Sequence, residues 1–396
     1  MALVTPPDPP KVASCDYCHS ESFEVEAQGH KFTFHPDGEK RFECVIDHIE
    51  RAEESLDVFY YMFQDDETGV KTRDALVDAA KRGVKVHLII DDLGSDAPDD
   101  FFEPITDAGG IFSKFSADLN VRYLIRNHQK FIITDHKYVM TGGSNISNHY
   151  YDTPENNGWC DLGVAIQGPV VDKFTEWFKL LAEWVEGDGS QFRRIRRMVK
   201  NFDGDVGGVA LTVGGPFVRK SNWVMRFKKD LMGAKRLDLV TAYFSPPRSL
   251  RRLMAKVGKR GEARMVLAGK SDIDATIQSA RLLYKRFLLS RVQISEFQPC
   301  KLHMKLIVVD DVSYFGSANL DKRSVRINVE LMVRVEDAAL ADRLREFIGH
   351  LEEAASPITP KWYKEVATWW RRFKWRLTYM AQMADYRMAR TLNPDR

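Results

Sequence analysis

Two segments of the sequence carry the same set of chemically active side chains in the same order. In the first segment, His128 and Lys130 are followed by Asp135 and, after a pair of glycines, by Asn145. The second segment begins 175 residues later, and its matching members are His303, Lys305, Asp310 and Asn319. Both segments read HxKxxxxD. Agreement at so many polar positions indicates an internal duplication.

The spacing predicts a β-hairpin that gathers histidine, lysine and asparagine at one end. Residues i and i+2 of a strand share a face, so His128 and Lys130 point the same way. Apolar residues then run to Asp135, where residues 135–137 are typical of a turn. The returning strand brings Asn145 beside His128 and leaves the aspartate at the far end. Glycines next to the asparagine let the backbone approach a ligand closely. The second copy follows the same pattern.

One histidine, one lysine and one asparagine from each half are suited to binding a phosphodiester. Burying lysine beside histidine is costly without an anion, and a substrate phosphate supplies one. The lysines would offset its charge, and the asparagines would donate hydrogen bonds to it. Imidazole titrates near neutrality, so one ring can attack phosphorus while the other carries a proton. A lone histidine is more often a satisfied core residue, but duplication of the whole set favours catalysis. The residues alone do not assign the two histidine roles.

The elements around both segments alternate between helix and strand. The alternation covers residues 37–54, 56–63, 72–82 and 84–90 in the first half, and residues 223–233, 237–244, 249–260 and 263–268 in the second. Apolar strands alternating with helices are typical of layered α/β domains. The two copies of this order are separated by one large offset, which indicates two duplicated domains. A solenoid would instead repeat one supersecondary unit every 20–50 residues or so.

Length and composition fit a globular protein of several domains. At about 150 residues per domain, 396 residues correspond to two or three domains. We expect a poorly ordered, Pro-rich arm over residues 1–27, a first domain over 28–205, a second over 206–355, and a basic, Trp-rich helical segment over 356–396. A hydrophobic content of 44% and a charged content of 29% exclude a disordered chain.

Charge, hydropathy and cysteine usage further restrict the class of protein and its compartment. The net charge of +2 argues against a globally basic nucleic-acid binder. No run approaches the roughly 18 apolar residues of a spanning helix, and the N-terminus does not read as a secretory signal. Five cysteines, an odd number, indicate a reducing compartment rather than a disulfide framework. We therefore expect a cytoplasmic protein.

Cys15, Cys18 and His19 form a CxxCH pattern, which can attach haem or supply half of a zinc site. Haem attachment needs an exported protein, and structural zinc needs four ligands. No second CxxC or HxxxH pair follows in the sequence. We interpret the pattern as incidental.

The paired HxKxxxxD segments resemble the hallmark motifs of the phospholipase D superfamily. The resemblance extends over roughly residues 32–353, and within it several segments resemble those of bacterial cardiolipin synthases. These are PDGE (36–39), AAKRGV (79–84), RNHQK (126–130), KLHMK (301–305), GSANLD (316–321), RS (323–324) and NVE (328–330). The paired motif identifies the superfamily, whereas substrate choice lies outside the motif.

The resemblance implies two domains related by a pseudo-twofold axis, with one active site at their interface and no metal or other cofactor. It places the nucleophile in the first motif, hence His128, and makes His303 the acid and base. Asp161 and Glu330 match acidic positions that orient the imidazoles across the axis, although either could also be a solvated strand end. Ser317 matches a position that helps to hold the phosphate, as we also expect for the two asparagines. For the aspartates of both motifs we expect a structural role.

We therefore expect a phosphatidyltransferase that makes cardiolipin and glycerol from phosphatidylglycerol through a phosphohistidine. A hydrolytic phospholipase D, which would release phosphatidic acid, is an alternative with the same chemistry. A nucleic-acid phosphodiesterase is disfavoured by the near-zero net charge, and a binding-only protein by the intact motifs. The acceptor alcohol, the headgroup and the oligomeric state stay open.

The C-terminal stretch over residues 361–390 combines aromatic and basic residues. It holds half of the protein's 8 tryptophans, interleaved with cations: Trp362, Trp369, Trp370 and Trp375 with Lys364, Arg371, Arg372, Lys374 and Arg376. Such a helix suits the surface of an anionic leaflet, and the basic run at residues 193–197 could add to it. A helix packed on the core by its Trp face fits the sequence equally well. The expected partners are thus a phospholipid substrate and an anionic membrane surface, with peripheral attachment to the inner membrane and no nucleic acid.

Overall fold

The computed structural model describes residues 17–116, 126–187, 191–216, 218 and 221–391, with the backbone alone at 191 and 385–391. Cys15 of the CxxCH pattern and most of the predicted N-terminal arm lie outside these ranges. Cys18 is an exposed free cysteine. Within the described ranges, no helix combines the length and apolar character needed to cross a bilayer.

The first half contains eight strands and five α-helices among its described residues. In chain order they are β1 (Phe23–Ala27), β2 (His30–His35), α1 (Gly38–Glu50), β3 (Ser55–Tyr60), α2 (Glu67–Lys81), β4 (Lys85–Asp91), α3 (Glu103–Asp107), β5 (Ile111–Phe115), β6 (Lys130–Thr134), β7 (Tyr138–Gly142), β8 (Gly163–Gln167), α4 (Val170–Glu186) and α5 (Gln191–Asn201).

The second half repeats this order and adds a C-terminal extension. Its elements are β9 (Asp205–Val206), β10 (Val209–Gly214), α6 (Asn222–Leu231), β11 (Arg236–Thr241), α7 (Arg248–Arg260), β12 (Glu262–Ala268), α8 (Asp274–Leu288), β13 (Gln293–Phe297), β14 (Lys305–Val309), β15 (Val312–Gly316), α9 (Lys322–Arg326), β16 (Glu330–Glu336), α10 (Ala338–Glu353), β17 (Ala355–Pro357), α11 (Pro360–Val366) and α12 (Trp369–Thr391).

The two mixed sheets have the same strand order, which confirms the predicted duplication. The first sheet runs β1-β2-β8-β7-β6-β3-β4-β5, and the second runs β9-β10-β16-β15-β14-β11-β12-β13-β17. Each strand of the first sheet thus has a counterpart eight strands later, and β17 is an addition at the edge. Within each half, parallel strands flank a helical crossover, and the motif forms the antiparallel hairpin that its spacing predicts.

Local sequence explains where the helices over the first sheet begin. The predicted helix over residues 37–54 is α1, and Asp37 caps it by accepting a hydrogen bond from the Lys40 N–H at 2.9 Å. Asp66 caps α2 by accepting from the Gly69 N–H at 3.0 Å. An Asp side chain satisfies one of the N–H groups that a helix start leaves unpaired, so these caps fix the first turn.

One hydrophobic cluster is shared by the two halves. Helices α4 and α10 and the inner faces of both sheets contribute to it. Phe32 and Phe34 of β2 pack edge-on against Phe315 of β15, with ring centroids 5.8 and 5.3 Å apart. Separate helices cover each outer face: α1–α3 in the first half, and α6–α8, α11 and α12 in the second. The shared core holds the two sheets so that strand ends from both can build one site.

Several predicted boundaries differ from the structure. Residues 23–27, which we assigned to the N-terminal arm, form β1 and pair with β2. The predicted domain boundary at residues 205 and 206 falls within β9, which pairs with β10. Residues 355–357 form β17 against β13, so the predicted C-terminal segment begins inside the second sheet. Strands β9 and β17, with 2 and 3 residues, are too short to leave a periodic pattern in the sequence. Strand β1 alternates between apolar and acidic residues, a strand pattern that the assignment to a Pro-rich arm overlooked.

Candidate active site

His128 lies just before β6, where the first half meets the second. Its backbone N–H donates to the carbonyl oxygen of Val329 at 2.9 Å. Its Nδ1 lies 3.1 Å from Oε2 of Glu330 and 3.2 Å from the carbonyl oxygen of Ser317. Both groups that face Nδ1 therefore come from the second half.

The first half contacts His303 in the corresponding way, although Nδ1 of His303 also lies 2.7 Å from Nζ of Lys305 in its own half. The backbone N–H of His303 donates to the carbonyl oxygen of Cys160 at 2.8 Å, and its Nδ1 lies 2.8 Å from Oδ2 of Asp161. Each half thus supplies the carboxylate that faces the other half's imidazole. The structure brings His128, Glu330, His303 and Asp161 into the pairing across the domain interface that the family resemblance implies.

Both carboxylates are fully buried, and a serine supports each of them. The Ser317 hydroxyl donates to Oε2 of Glu330 at 2.6 Å, and the Ser144 hydroxyl donates to Oδ2 of Asp161 at 3.2 Å. The single hydroxyl proton of Ser317 is therefore directed to Glu330, and its predicted contact with phosphate stays a prediction. Ser144 was missed because its offset from the neighbouring asparagine differs by one residue between the two motifs.

Cations and imidazoles keep the two acids ionised despite their burial. Burial alone would raise the pKa of Asp161, but Lys305 and His303 lower it far below its ordinary value. Burial is likewise outweighed at Glu330, where His128 holds the pKa below the usual range. Both groups are therefore carboxylates that can accept the Nδ1–H of their imidazole.

The imidazoles and lysines are all destabilised in their charged forms. Burial, followed by the charge of Lys130, lowers the pKa of His128 to about 4. Burial and Lys305 lower the pKa of His303 in the same way. Burial also lowers the pKa of Lys305 to about 8 and that of Lys130 well below its ordinary value. A bound anion would reverse these shifts, so the site is prepared for one.

The two lysines lie beside the histidines, as the i, i+2 spacing predicts. Nζ of Lys130 donates to the carbonyl oxygen of His128 at 2.5 Å. Nζ of Lys305 lies 3.0 Å from Nε2 of His303 and also donates to the His303 carbonyl oxygen. Lys305 therefore lies at the His303 ring, whereas Lys130 contacts the backbone of His128.

The asparagines return near the histidines, but protein groups already occupy part of their hydrogen-bonding capacity. Nδ2 of Asn145 donates to the Tyr150 hydroxyl at 2.7 Å, and Oδ1 of Asn319 accepts from the Tyr243 N–H at 3.4 Å. Both side chains are buried. Their predicted role in binding phosphate stays a prediction.

The two motif aspartates lie at the far ends of their hairpins. Asp135 accepts hydrogen bonds from the backbone N–H groups of residues 53–55 at 2.7 to 3.2 Å. Asp310 accepts from the N–H groups of residues 235 and 236 at 3.0 and 2.8 Å. Both adopt positive φ values, 52° and 47°, at the turn. Each therefore ties the hairpin turn to the start of the neighbouring strand, β3 or β11, in line with the structural role we expected.

Aromatic side chains around the imidazoles were not identified from the sequence. The ring of Tyr61 lies 4.8 Å from that of His128, between centroids. The rings of Tyr150 and Trp159 lie 5.1 and 5.3 Å from that of His303. Tyr61 directly follows β3, the strand that pairs with the Lys130 strand, and this position could have indicated it. The other two lie on the connection between β7 and β8, and its counterpart between β15 and β16 carries no aromatic residue, so the duplication gave no indication of them.

A further acid lies on the His303 side of the site. The Tyr243 hydroxyl lies 2.7 and 2.8 Å from the two carboxylate oxygens of Asp272. Burial alone would raise the pKa of Asp272, but the Tyr243 hydroxyl and His303 lower it overall. Within the described ranges, no group of three or more His, Cys, Asp and Glu side chains is arranged to hold a metal ion.

Comparison with known proteins connects this geometry to a family. A family model described as "Cardiolipin synthase, PLD-like domain" matches residues 45–182 and again residues 229–351. Each match contains one HxKxxxxD segment. The chain belongs to this family. Its two halves are thus two phospholipase D-like domains, as the sequence resemblance implied.

Curated relatives agree with the assignment, and a solved structure shares the fold. "Major cardiolipin synthase ClsA" of Bacillus subtilis is 30% identical over 323 residues, which cover 78% of this chain and 66% of that protein. "Cardiolipin synthase B" of Salmonella typhimurium is 27% identical over 367 residues, 88% of this chain and 86% of that protein. The chain therefore spans slightly less than two thirds of the first relative. A crystal structure of phosphatidylserine synthase from Haemophilus influenzae Rd KW20 has the same fold, with a TM-score of 0.74 at 14% identity, covering 93% of this chain and 96% of that one.

The predicted Trp-rich segment forms α11 and α12, and α12 divides its aromatic residues between core and surface. Trp375 is 3% exposed and packs in the outer cluster of the second half. Trp369 and Trp370 are 75% and 51% exposed, and the exposed face continues through Phe373, Leu377 and Met380. The buried side agrees with a helix packed on the core, and contact of the exposed side with a membrane stays a prediction.

The basic run at residues 193–197 lies on α5, whose apolar face enters the shared core. Nη2 of Arg194 lies 3.8 Å from Oε2 of Glu183. The run is therefore partly neutralised and is a weaker candidate for membrane contact than α12.

Proposed function

We propose that this protein is a phosphatidyltransferase that makes cardiolipin and glycerol from two molecules of phosphatidylglycerol. The observation that carries the proposal is the reciprocal pairing of two buried imidazoles, each with a carboxylate from the opposite domain. Such a pair can divide the work of nucleophile and acid–base between two rings.

In the first step, neutral His128 attacks phosphorus. Its Nδ1–H donates to Glu330, which leaves the lone pair of Nε2 free and fixes the ring orientation. The Nε2–P bond forms and the P–O bond to glycerol breaks. The leaving oxygen takes a proton from His303, whose imidazolium form is stabilised by Asp161 and by the bound phosphate.

In the second step, the hydroxyl of another phosphatidylglycerol attacks the phosphohistidine. His303, now neutral, accepts the hydroxyl proton as the new P–O bond forms and the Nε2–P bond breaks. Lys130 and Lys305 offset the charge that the phosphoryl oxygens carry in both steps. The assignment of His128 as nucleophile rests on the family resemblance, because a carboxylate from the opposite half faces Nδ1 of both imidazoles.

Hydrolysis to phosphatidic acid is the alternative fate of the same intermediate. The aromatic rings of Tyr150 and Trp159 crowd the His303 side and reduce the room for water. Asp272 and Tyr243 offer polar partners on that side for the hydroxyl groups of an incoming glycerol headgroup. Both features favour transfer to an alcohol.

We also propose that the protein attaches peripherally to an anionic membrane. The exposed tryptophans of α12 stand beside the cations Lys374 and Arg376, a combination suited to the interface between headgroups and acyl chains. The cytoplasmic location expected from the cysteine count stays a prediction.

The test is incubation of purified protein with phosphatidylglycerol vesicles, followed by mass spectrometry of the lipids and an assay of released glycerol. We expect cardiolipin and glycerol in equal amounts, and neither product from the His128→Ala control. Phosphatidic acid as the main product would replace the transferase with a hydrolase. An inactive wild-type protein would contradict both.

A further inference from the structure

Helix α7 carries only positive charge. Its charged residues are Arg248, Arg251, Arg252, Lys256, Lys259 and Arg260. In the part of the chain that the structure describes, none of these six side chains forms an ion pair with a carboxylate. A helix surface of this kind presents uncompensated charge to the solvent.

The duplication supplies an internal comparison, because α2 occupies the same place in the first half. Both helices connect equivalent parallel strands and cover the outer face of their sheet. The three cations of α2 are paired with acids of the same helix: Lys71 with Glu67 at 2.7 Å, Arg73 with Asp74 at 2.7 Å, and Lys81 with Asp78 at 3.3 Å. The fold therefore does not require the charge of α7.

Two adjoining open grooves lie between α7 and α8, and basic side chains line both. One has a volume of about 510 Å³ and is lined by Arg252, Lys256, Lys259 and Arg286. The other, of about 480 Å³, shares Lys259 and Arg286 and adds further cations, Arg251 and Lys285. Leucines contribute the apolar lining, among them Leu253 in the first groove and Leu289, 73% exposed, in the second.

The grooves belong to the same outer layer as the aromatic face of α12. Helix α8 contacts both α7 and α12. Its Gln278 accepts a hydrogen bond from the Thr378 hydroxyl of α12 at 2.9 Å. Three neighbouring helices over one sheet thus carry the cations of α7 and α8 and the exposed tryptophans of α12.

We propose that the α7–α8 grooves are a docking surface for the headgroups of anionic phospholipids, and that the second domain lies against the leaflet through α7, α8 and α12. Cations near an anionic bilayer are attracted to its surface potential, and exposed leucines and tryptophans suit the depth just below the headgroups. A polynucleotide would use the cations but would gain little from the apolar lining. The inference rests on the proposed phospholipid function and deepens it by assigning the face that meets the membrane.

The test is co-sedimentation of the full chain with phosphatidylcholine vesicles that contain or lack phosphatidylglycerol. The variant R252Q/K256Q/K259Q removes three groove cations, and K71Q/R73Q/K81Q removes three cations from α2 as the matched control. Each cation near an anionic surface contributes roughly fivefold to binding. We therefore expect the groove variant to lose at least tenfold in partition onto anionic vesicles. The control should stay within twofold of wild type, and binding to pure phosphatidylcholine should be unaffected.

The outcomes are distinct. Unchanged binding by the groove variant, or an equal loss in the control, would overturn the inference. The inference would also be overturned if the protein bound a fluorescent oligonucleotide more tightly than vesicles and the groove substitutions abolished that binding. The grooves would then be assigned to nucleic acid. Thermal unfolding of both variants checks that they fold. Turnover of phosphatidylglycerol by the wild type is measured separately. If it is absent while groove-dependent vesicle binding persists, the proposed function fails and the docking surface stands.

Discussion

Each imidazole of the site is oriented by a residue that its own domain does not contain. Glu330 faces His128 and Asp161 faces His303, at 3.1 and 2.8 Å. A carboxylate on Nδ1 selects one tautomer and stabilises the imidazolium that forms during proton transfer. Chemistry in this protein is therefore a property of the domain pair.

A trapped intermediate would assign the two histidine roles. In His303→Asn the acid that protonates the leaving alcohol and activates the next one is missing, so breakdown of the phosphohistidine should slow most. A p-nitrophenyl phosphodiester needs little help from an acid, and it should still load the nucleophile. We expect a base-stable, acid-labile phosphate adduct on the peptide containing His128, detected by mass spectrometry after a base quench. An adduct confined to His303 in the reciprocal His128→Asn variant would exchange the roles.

The lysines predict a pH dependence. The pKa of Lys305 is lowered to about 8 by burial, so the free enzyme loses this charge as the pH rises through that value. A bound phosphodiester anion stabilises the ammonium and raises its pKa. We therefore expect kcat/KM to fall above about pH 8 while kcat changes little, since kcat/KM reports the free enzyme and kcat the complex. A parallel fall of both parameters would contradict this assignment.

The sequence predicted the charged residues of the site far better than its aromatic ones. His128, Lys130 and their second copies stood out because a motif repeated at one offset is visible in a single chain. Asp161 and Glu330 came from the family resemblance, and their contacts across the interface could not be read from spacing. Tyr150 and Trp159 lie between β7 and β8, and the equivalent connection between β15 and β16 carries no aromatic residue, so neither periodicity nor duplication could reveal them.

At the scale of elements, the motif hairpins are positioned by their aspartates. The predicted turns at Asp135 and Asp310 are correct, because a turn residue between two apolar runs is typical of a β-hairpin. The edge strands β9 and β17 were placed in other segments, since two or three residues carry no clear pattern. Strand β1 was misplaced although its residues alternate between apolar and acidic, because the Pro-rich stretch before it was extended too far. Element type was therefore predictable where both faces of a strand are buried, and less so at the sheet edges.

Replacement of Asp135, which holds the turn of the first hairpin, should affect the free energy of unfolding more than turnover. Asp135 accepts three backbone N–H groups, and hydrogen bonds to a charged acceptor contribute about 1.5–3 kcal/mol each. We expect Asp135→Asn to lower the free energy of unfolding by about 2 kcal/mol in urea denaturation, because it keeps the shape but loses the charge. Turnover per folded molecule should stay within a few-fold of wild type. A loss of turnover as large as that of His128→Ala would give Asp135 a direct catalytic role.

Two tryptophans of α12 allow the packing of this helix to be tested separately from its contact with a membrane. Trp375 is 3% exposed, and truncating a buried aromatic residue costs about 3–5 kcal/mol. We expect Trp375→Ala to lower the midpoint of thermal unfolding markedly. Trp369 is 75% exposed, so Trp369→Ala should leave that midpoint unchanged and weaken vesicle partition several-fold. Equal effects of both substitutions on stability would place Trp369 in the core as well.

At the scale of the whole molecule, duplication has produced one site and two different outer surfaces. The inner faces of the sheets share a core, and the imidazole–carboxylate pairs cross between the domains there. The outer faces have diverged: the crossover helix of the first domain is neutralised by its own acids, and that of the second carries cations alone. Symmetry is thus retained where both halves act together, and it is lost on the outer faces, of which we propose that only the second meets a membrane.

A single site built within one chain leads to a test by complementation. Each chain needs both histidines and both carboxylates, and one chain supplies all four. We therefore expect a mixture of His128→Ala and His303→Ala proteins, each inactive but folded, to stay inactive toward phosphatidylglycerol. Co-expression of the two variants should give the same result, because no exchange of subunits can unite intact residues that lie in opposite halves of one site. Recovery of activity toward one quarter of wild type on co-expression would instead mean that domains from two chains pair, with His128 of one copy acting beside His303 of another.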